Sequence, residues 1–166
     1  VGVIHFESPR CRTLLAAFND FSLSTLSIIC SIIRPAAMVQ VSEMLRRFRG
    51  GAFQYPHPII EETLRGTLGI MVYQEDVIRV AKNLANFTSQ EGNELRKTLA
   101  KKNKKHKLDF YKKKFFDGCL SKSIEPENIE SLWKDVLSFA GYSFCKPHSD
   151  SYSLVAYKSA YLKAYY

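Results

Sequence analysis

Hydrophobic positions along the chain recur mainly with the spacing of an α-helix. Between residues 77 and 85, the apolar side chains follow a 3.6-residue period; they are Val77, Ile78, Ala81, Leu84 and Ala85. A second stripe follows Pro126, which can open a helix; it consists of Ile129, Leu132, Trp133, Val136, Leu137 and Ala140. Gly141 stands where a C-terminal cap belongs. These patterns predict a mainly α fold.

Shorter stripes and capping residues predict further helices. Ser8-Pro9 favours a helix over 8–18, and the apolar run 21–33 favours a buried helix over 22–33 that stops before Pro35. The remaining predicted helices cover 41–48, 59–66, a segment capped by Ser89, and a segment capped by Ser149 that runs to 166. Residues 69–73 are typical of a short buried strand or an extended segment. We therefore expect one compact multi-helix unit with at most a short strand or hairpin near 69–73.

The positive charge of the chain is concentrated in one stretch. The formal net charge of the 166 residues is +8. Residues 96–122 hold eleven Lys and Arg against two acids, which gives +9, so the rest of the chain sums to −1. Its densest part contains Lys101, Lys102, Lys104 and Lys105. Such a cluster indicates either a surface that neutralises phosphates or a solvated lysine face.

Two further segments favour anion binding. Arg96 and Lys97 are adjacent on an amphipathic helix, where a guanidinium and an ammonium could hold a triphosphate. Residues 144–149 are expected to form a polar loop before a helix start, and Lys146 and His148 would add donors there. The alternative is a capping loop in which His148 satisfies a backbone carbonyl.

Several classes of site are disfavoured. The four cysteines form no Cys-x-x-Cys pair and the four histidines are scattered, so we expect free thiols in a reducing cytoplasm and no zinc site. The sequence has no Asp-x-Asp pair and no Gly-x-x-x-x-Gly-Lys phosphate loop. The longest apolar run is too short for a membrane span. With no initiator Met and no capped end after Tyr166, the sequence is expected to be part of a longer protein.

Several blocks resemble a known family in order and spacing along essentially the whole chain. They are GVIHFES (2–8), IIRPAAM (32–38), YPHPIIEETLRGTLGIMVYQEDVIRVAKNLANFT (55–88), LRKTLAKK (95–102) and FAGYSFCKPHSDSYSLVAYKSAYLKAYY (139–166). Together they are similar to the alpha subunit of bacterial DNA polymerase III, the family C replicative polymerase with its error-prone relatives. The FCKPHS block favours an error-prone or divergent form.

This resemblance implies an α-helical fingers region and a set of nucleotide-binding residues. Arg96 and Lys97 stand where the family usually has two Arg that contact the incoming triphosphate; the Lys weakens the expectation of a bidentate grip at the second position. Lys146 and His148 fall in the Lys-x-His-Ser segment near the nascent base pair, and Tyr152 matches the Tyr that follows it. Where the family often has Arg-Pro-Gly-Pro, residues 34–37 read Arg-Pro-Ala-Ala.

The resemblance also implies partners and a cofactor for the full enzyme. They are template-primer DNA, a deoxynucleoside triphosphate (dNTP), other polymerase III holoenzyme subunits including the sliding clamp, and Mg²⁺ held by carboxylates of an absent palm. The segment alone is therefore expected to bind no metal and to be inactive. The alternatives are a non-catalytic basic nucleic-acid-binding module from a truncated gene copy, and a helical scaffold whose lysines are merely solvated.

Overall fold

The computed structural model describes residues 2–33, 38–100, 105–138 and 144–166. Helices dominate these residues, and no strand is present among them, which confirms the mainly α prediction. The helices are α1 (Pro9–Phe18), α2 (Leu23–Ile32), α3 (Met38–Phe48), α4 (Pro58–Leu64) with a 3₁₀ turn after it (Arg65–Thr67), α5 (Gln74–Ala85), α6 (Ser89–Leu99), α7 (Lys105–Leu120), α8 (Pro126–Ser138) and α9 (Lys146–Tyr165).

The chain divides into two compact units, where the sequence pattern indicated one. The first unit consists of residues 1–52 and 144–166, and the second of residues 53–143. The first unit joins distant parts of the chain because α9 packs along α2. A stripe pattern shows which face of a helix is buried but does not show its partner, so this grouping is not visible in the sequence.

Small side chains line the packing of α9 against α2 in the first unit. Ser31 and Ser149 are buried, and their hydroxyl oxygens are 2.6 Å apart. Ser149 was expected to cap the last helix, but this expectation is wrong: Cys145 is the N-cap and α9 begins at Lys146. Pro147 is compatible with this earlier start because the first turn of a helix needs no proline N–H. The predicted loop 144–149 is thus largely the first turn of α9.

The second unit is built around a core shared by α5, α7 and α8. Phe115 and Trp133 are almost fully buried, with ring centroids 5.4 Å apart. The stripe of α5 predicted from the sequence is buried apart from Ile78, which is partly exposed. Burial of these apolar surfaces supplies most of the stabilisation of such a unit.

Residues 70–73 run as a buried extended segment into the start of α5. The fully buried Asp76 carboxylate accepts hydrogen bonds from the backbone N–H groups of Val72 and Tyr73, both at 2.8 Å, and it also pairs with Arg79. These bonds satisfy backbone donors that would otherwise be buried without partners. Asp76 therefore fixes where α5 begins.

Two predicted helix starts are confirmed, whereas the start of α6, like that of α9, is shifted. Ser8 caps α1 by accepting from the Cys11 N–H at 3.2 Å, and Pro126 opens α8. The cap of α6 is Thr88, not Ser89: its hydroxyl accepts from the Glu91 N–H at 3.2 Å, and the Glu91 carboxylate accepts from the Thr88 N–H at 2.9 Å. This is a capping box. Ala140, Gly141 and residues 34–37, for which the sequence also predicts roles, lie outside the described residues.

Candidate functional site

Arg96 lies on α6 with its guanidinium held by amide groups from two helices. Its Nη1 donates to Gln74 Oε1 at 2.9 Å, at the first position of α5. Its Nε and Nη2 both donate to Asn93 Oδ1, at 3.2 and 3.1 Å, one turn earlier on α6. Both acceptors are neutral amide oxygens. In residues 2–33, 38–100, 105–138 and 144–166, no carboxylate forms an ion pair with Arg96.

This arrangement orients the Arg96 charge without neutralising it. A guanidinium has five N–H donors, and the three bonds to Gln74 and Asn93 leave two without a partner among the described residues. The side chain is half-buried, so part of its hydration has been lost. An anion that approached Arg96 would meet a positioned donor group.

Lys97, the next cation along the chain, is more exposed to solvent than Arg96. Lys97 is exposed and follows Arg96 directly in the last turn of α6. Residues 101–104 are not among the described residues, and nothing is described of the Lys105 side chain. The predicted phosphate contacts of Lys101, Lys102, Lys104 and Lys105 therefore stay predictions.

Much of the remaining basic stretch takes part in contacts within the second unit. Lys114 pairs with Glu91 and lies 5.2 Å from the Phe87 ring centroid. Lys112 is 3.5 Å from Glu130. Lys122 donates to a backbone carbonyl at residue 83. For these three side chains, contacts within the unit account for part of the charge of residues 96–122, for which the sequence left open a phosphate surface or a solvated lysine face.

The contacts between α6 and α7 shift the pKa values of three groups. Hydrogen bonds from Lys114 and from the Thr88 N–H lower the pKa of Glu91 to about 2. A hydrogen bond from the Tyr111 hydroxyl, at 2.8 Å, lowers the pKa of Glu94. Burial, together with this bond to Glu94, raises the pKa of Tyr111 to about 12. These contacts join α7 to the helix that carries Arg96.

The first turn of α9 carries two of the predicted side chains of the first unit. Lys146 Nζ is 3.5 Å from Asp150 Oδ2, one turn along the helix. Asp150 Oδ1 accepts a hydrogen bond from the Ser27 hydroxyl of α2 at 2.6 Å. Lys146 and Asp150 are both about half exposed, so the ion pair contributes little to stability.

His148 and Tyr152 form part of a row of aromatic rings in the first unit. The His148 ring stacks on Phe144 with centroids 4.8 Å apart and an interplanar angle of 10°. It meets the Tyr152 ring edge-on, with centroids 4.3 Å apart. The Tyr152 ring in turn meets the His5 ring edge-on, also with centroids 4.3 Å apart, and His5 ends the row. The contacts along this row restrain the orientation of the His148 and Tyr152 rings.

The structure thus brings the predicted residues together in two groups. Arg96 and Lys97 are adjacent in the second unit, and Lys146, His148 and Tyr152 lie along one helix of the first unit. Sequence reasoning did not identify Gln74, Asn93 or His5. Gln74 and His5 could have been found, since both lie in blocks that carry the family resemblance. Asn93 could not, because an Asn three residues before an Arg on a helix indicates no particular role.

Metal-binding clusters and membrane-spanning helices are both absent from the described ranges. These ranges contain no group of three or more His, Cys, Asp or Glu side chains arranged to hold a metal ion. They also contain no helix that is both long enough and apolar enough to cross a membrane.

Comparisons with known proteins agree with one another. The family model for the bacterial DNA polymerase III alpha subunit finger domain matches residues 1–123. The DNA polymerase III subunit alpha of Aquifex aeolicus is 34% identical over 168 residues, which cover 99% of this chain and 14% of that protein. The subunits of Borreliella burgdorferi (34% identical over 166 residues) and Bacillus subtilis (31% over 166 residues) also match 99% of this chain. The chain spans 14% and 15% of the length of these two relatives.

Proposed function

Because the chain belongs to the bacterial DNA polymerase III alpha subunit finger domain family, we propose that it serves as the fingers part of a DNA-directed DNA polymerase. In this role it binds the triphosphate of the incoming dNTP and contacts the template-primer. The reaction is attack of the primer 3′-hydroxyl on the nucleotide, with release of pyrophosphate. The setting of Arg96 is the observation that carries the proposal.

Arg96 suits a triphosphate because of the groups that hold it. Neutral amides from Gln74 and Asn93 fix the plane of the guanidinium at 2.9 to 3.2 Å and leave its full positive charge. Donors that are oriented before the ligand arrives lose little free energy to reorganisation when charge develops on the phosphates. A surface Arg paired with a carboxylate would first have to give up that partner. Arg96 therefore binds and orients phosphate oxygens, and the exposed Lys97 adds a second positive charge beside it.

The side chains of α9 are proposed to act on the nascent base pair. The stacked ring of His148 and the edge-on ring of Tyr152 present a fixed aromatic surface, which can pack against a planar base. Lys146 contributes positive charge at the start of the same helix. We expect a smaller effect from Lys146 than from Arg96, since Lys146 is paired with Asp150.

Chemistry at the primer end is assigned to parts of the polymerase outside residues 1–166. Mg²⁺ held by palm carboxylates would activate the hydroxyl and stabilise the leaving group. The residues of this chain position the nucleotide and neutralise phosphate charge. We expect the 166-residue chain alone to extend no primer, and metal-dependent synthesis by it would contradict this division of roles.

The test of the proposal compares three variants of the full-length polymerase that contains this segment. Arg96→Ala should lower kcat/KM for the nucleotide by roughly 10–1000-fold, the range expected when one oriented charge stabiliser is removed. Arg96→Lys keeps the charge but loses the fork, so it should give an intermediate loss. Arg65→Ala is the matched control, because Arg65 is an exposed Arg of the same unit paired with Glu61.

The control separates a local role from a general charge effect. We expect Arg65→Ala to leave kcat/KM within about twofold of the unaltered enzyme, since removing an exposed ion pair has little effect. Equal losses in Arg65→Ala and Arg96→Ala, or no loss in Arg96→Ala, would overturn the assignment of the triphosphate to Arg96. The non-catalytic alternative predicts that coding sequence next to this segment encodes no palm carboxylates.

A further inference from the structure

One large aromatic side chain of α7 is exposed to water. Phe110 is 63% exposed, whereas Tyr111 and Phe115 of the same helix are buried in the core of the second unit. Lys107, Lys113 and Lys114 lie three or four positions from Phe110 and therefore share its side of the helix. The Phe110 ring meets the Tyr111 ring edge-on, with centroids 5.4 Å apart, and this contact leaves most of the Phe110 ring open to solvent among the lysines.

A cavity opens beside Phe110. Its volume is about 480 Å³, and it is lined by Phe110, Lys113 and Asp117 of α7 together with Ala85 and Asn86 at the end of α5. This volume falls within the range of small-ligand pockets. Its lining is largely apolar, with lysine at the rim, which suits a flat heteroaromatic group attached to an anion.

The cations around the ring are not equally available. Lys114 also lines the cavity, but it is paired with Glu91. Lys107 and Lys113 are exposed and form no ion pair with any residue in the described ranges, although Lys107 lies within electrostatic range of Glu94. Asp117, one turn after Lys113, reduces the local positive charge. The two unpaired lysines flank the Phe110 ring, about 9 Å apart along the axis at 1.5 Å per residue.

We propose that this face of α7 binds single-stranded DNA, with a base stacked on the Phe110 ring and phosphates on Lys107 and Lys113. Aromatic rings that stack bases within a positively charged groove are how sequence-tolerant single-strand sites are built. Phosphate contacts of this kind add affinity without reading the sequence. If the bound single strand is the template of a polymerase, that identity rests on the proposed function. The stacking site itself rests on the geometry of α7.

The test uses the fluorescence of a tryptophan placed at the site. The 166-residue chain has a single Trp, Trp133, which is 2% exposed and should not respond to DNA. In Phe110→Trp, a 12-nucleotide oligothymidylate at low salt should quench the new exposed Trp, while the unaltered chain keeps its emission. By anisotropy with a labelled oligonucleotide, Phe110→Ala should bind about tenfold more weakly or worse. Circular dichroism checks that each variant is folded.

Two matched controls locate the site. Phe21 in the first unit is 60% exposed, so Phe21→Ala removes a comparable ring elsewhere and should leave the affinity unchanged. Lys113→Ala should reduce the slope of log affinity against log salt by about 0.7, the value for one phosphate contact on a single strand. Lys112→Ala removes a neighbouring lysine that is paired with Glu130 and should change the slope less.

The outcomes separate this proposal from the proposed function. Oligothymidylate that binds without quenching Phe110→Trp would show that bases stack elsewhere and would overturn the proposal. Absence of binding at low salt would also overturn it and would favour a protein partner for the Phe110 face. Neither result bears on the kcat/KM of Arg96→Ala. If Arg96→Ala had the same kcat/KM as the unaltered polymerase while oligothymidylate still quenched Phe110→Trp, only the proposed function would be overturned.

Discussion

The approach of α7 to the end of α5 depends on the absence of a side chain at residue 118. A Cβ added to Gly118 would lie 2.5 Å from the Ala85 carbonyl carbon and 2.6 Å from the Ala85 Cα, and it would also clash with the carbonyl oxygen. Ordinary van der Waals contact begins at about 3.4 Å. The neighbouring atoms are backbone, so Gly118→Ala requires the two helices to separate by about 1 Å.

The expected loss of stability is the difference between two opposing effects. Overpacking of a well-packed contact costs about 1–3 kcal/mol, and we take the upper end because rigid backbone atoms are involved. Alanine in place of glycine within a helix contributes about 1 kcal/mol in the other direction. The free energy of unfolding of the second unit should therefore fall by about 2 kcal/mol.

Urea unfolding followed by Trp133 fluorescence measures this change, since Trp133 is the single Trp and lies in the core of the second unit. With a typical slope of about 2 kcal/mol per molar urea, the midpoint should fall by about 1 M. Gly66→Ala is the matched control, because nothing lies within 4 Å of a Cβ there. A Gly118→Ala variant as stable as Gly66→Ala would refute the packing of α5 on α7 described above.

Two further predictions concern the start of α6, the helix that carries Arg96. Thr88→Ala should lower the free energy of unfolding by about 1 kcal/mol because it removes the cap, whereas Ser89→Ala should cost less; the reverse order in urea unfolding would place the cap at Ser89. The pKa of Glu91 is lowered from 4.5 to about 2, so the stabilisation from its charged form is fully present above about pH 4.5 and is lost as the pH falls towards 2. Glu91→Gln should remove that part of the acid sensitivity seen by Trp133 fluorescence, and an unchanged acid transition would show that the contact of Glu91 with Lys114 does not stabilise the unit.

Local pattern predicted most helices, and tertiary contacts explain the differences. The stripe of α5, the Ser8 cap and the start of α8 at Pro126 depend on residues close in sequence, so they can be predicted from the sequence. The sequence pattern places the start of α9 too late, because Ser149 is a residue type that commonly caps helices. In the structure its hydroxyl instead meets Ser31, 118 positions away.

The candidate site could be predicted only in part, because contacts between residues distant in sequence are not visible in the local pattern. The family blocks indicated Arg96, Lys97, Lys146, His148 and Tyr152, and their roles stay predictions. What holds Arg96 was not predicted, since its contact with Gln74 joins residues 22 positions apart and exists only when α6 packs on α5. Which lysines are free to contact a phosphate also depends on the fold, because Lys112 and Lys114 pair with carboxylates on other helices.

The most direct test of the central claim is the kcat/KM for the incoming nucleotide in Arg96→Ala, measured beside Arg65→Ala in the full-length polymerase. The account predicts a loss of roughly 10–1000-fold for Arg96→Ala and almost none for Arg65→Ala. Equal values of kcat/KM in the two variants would contradict the claim that the oriented charge of Arg96 binds the triphosphate.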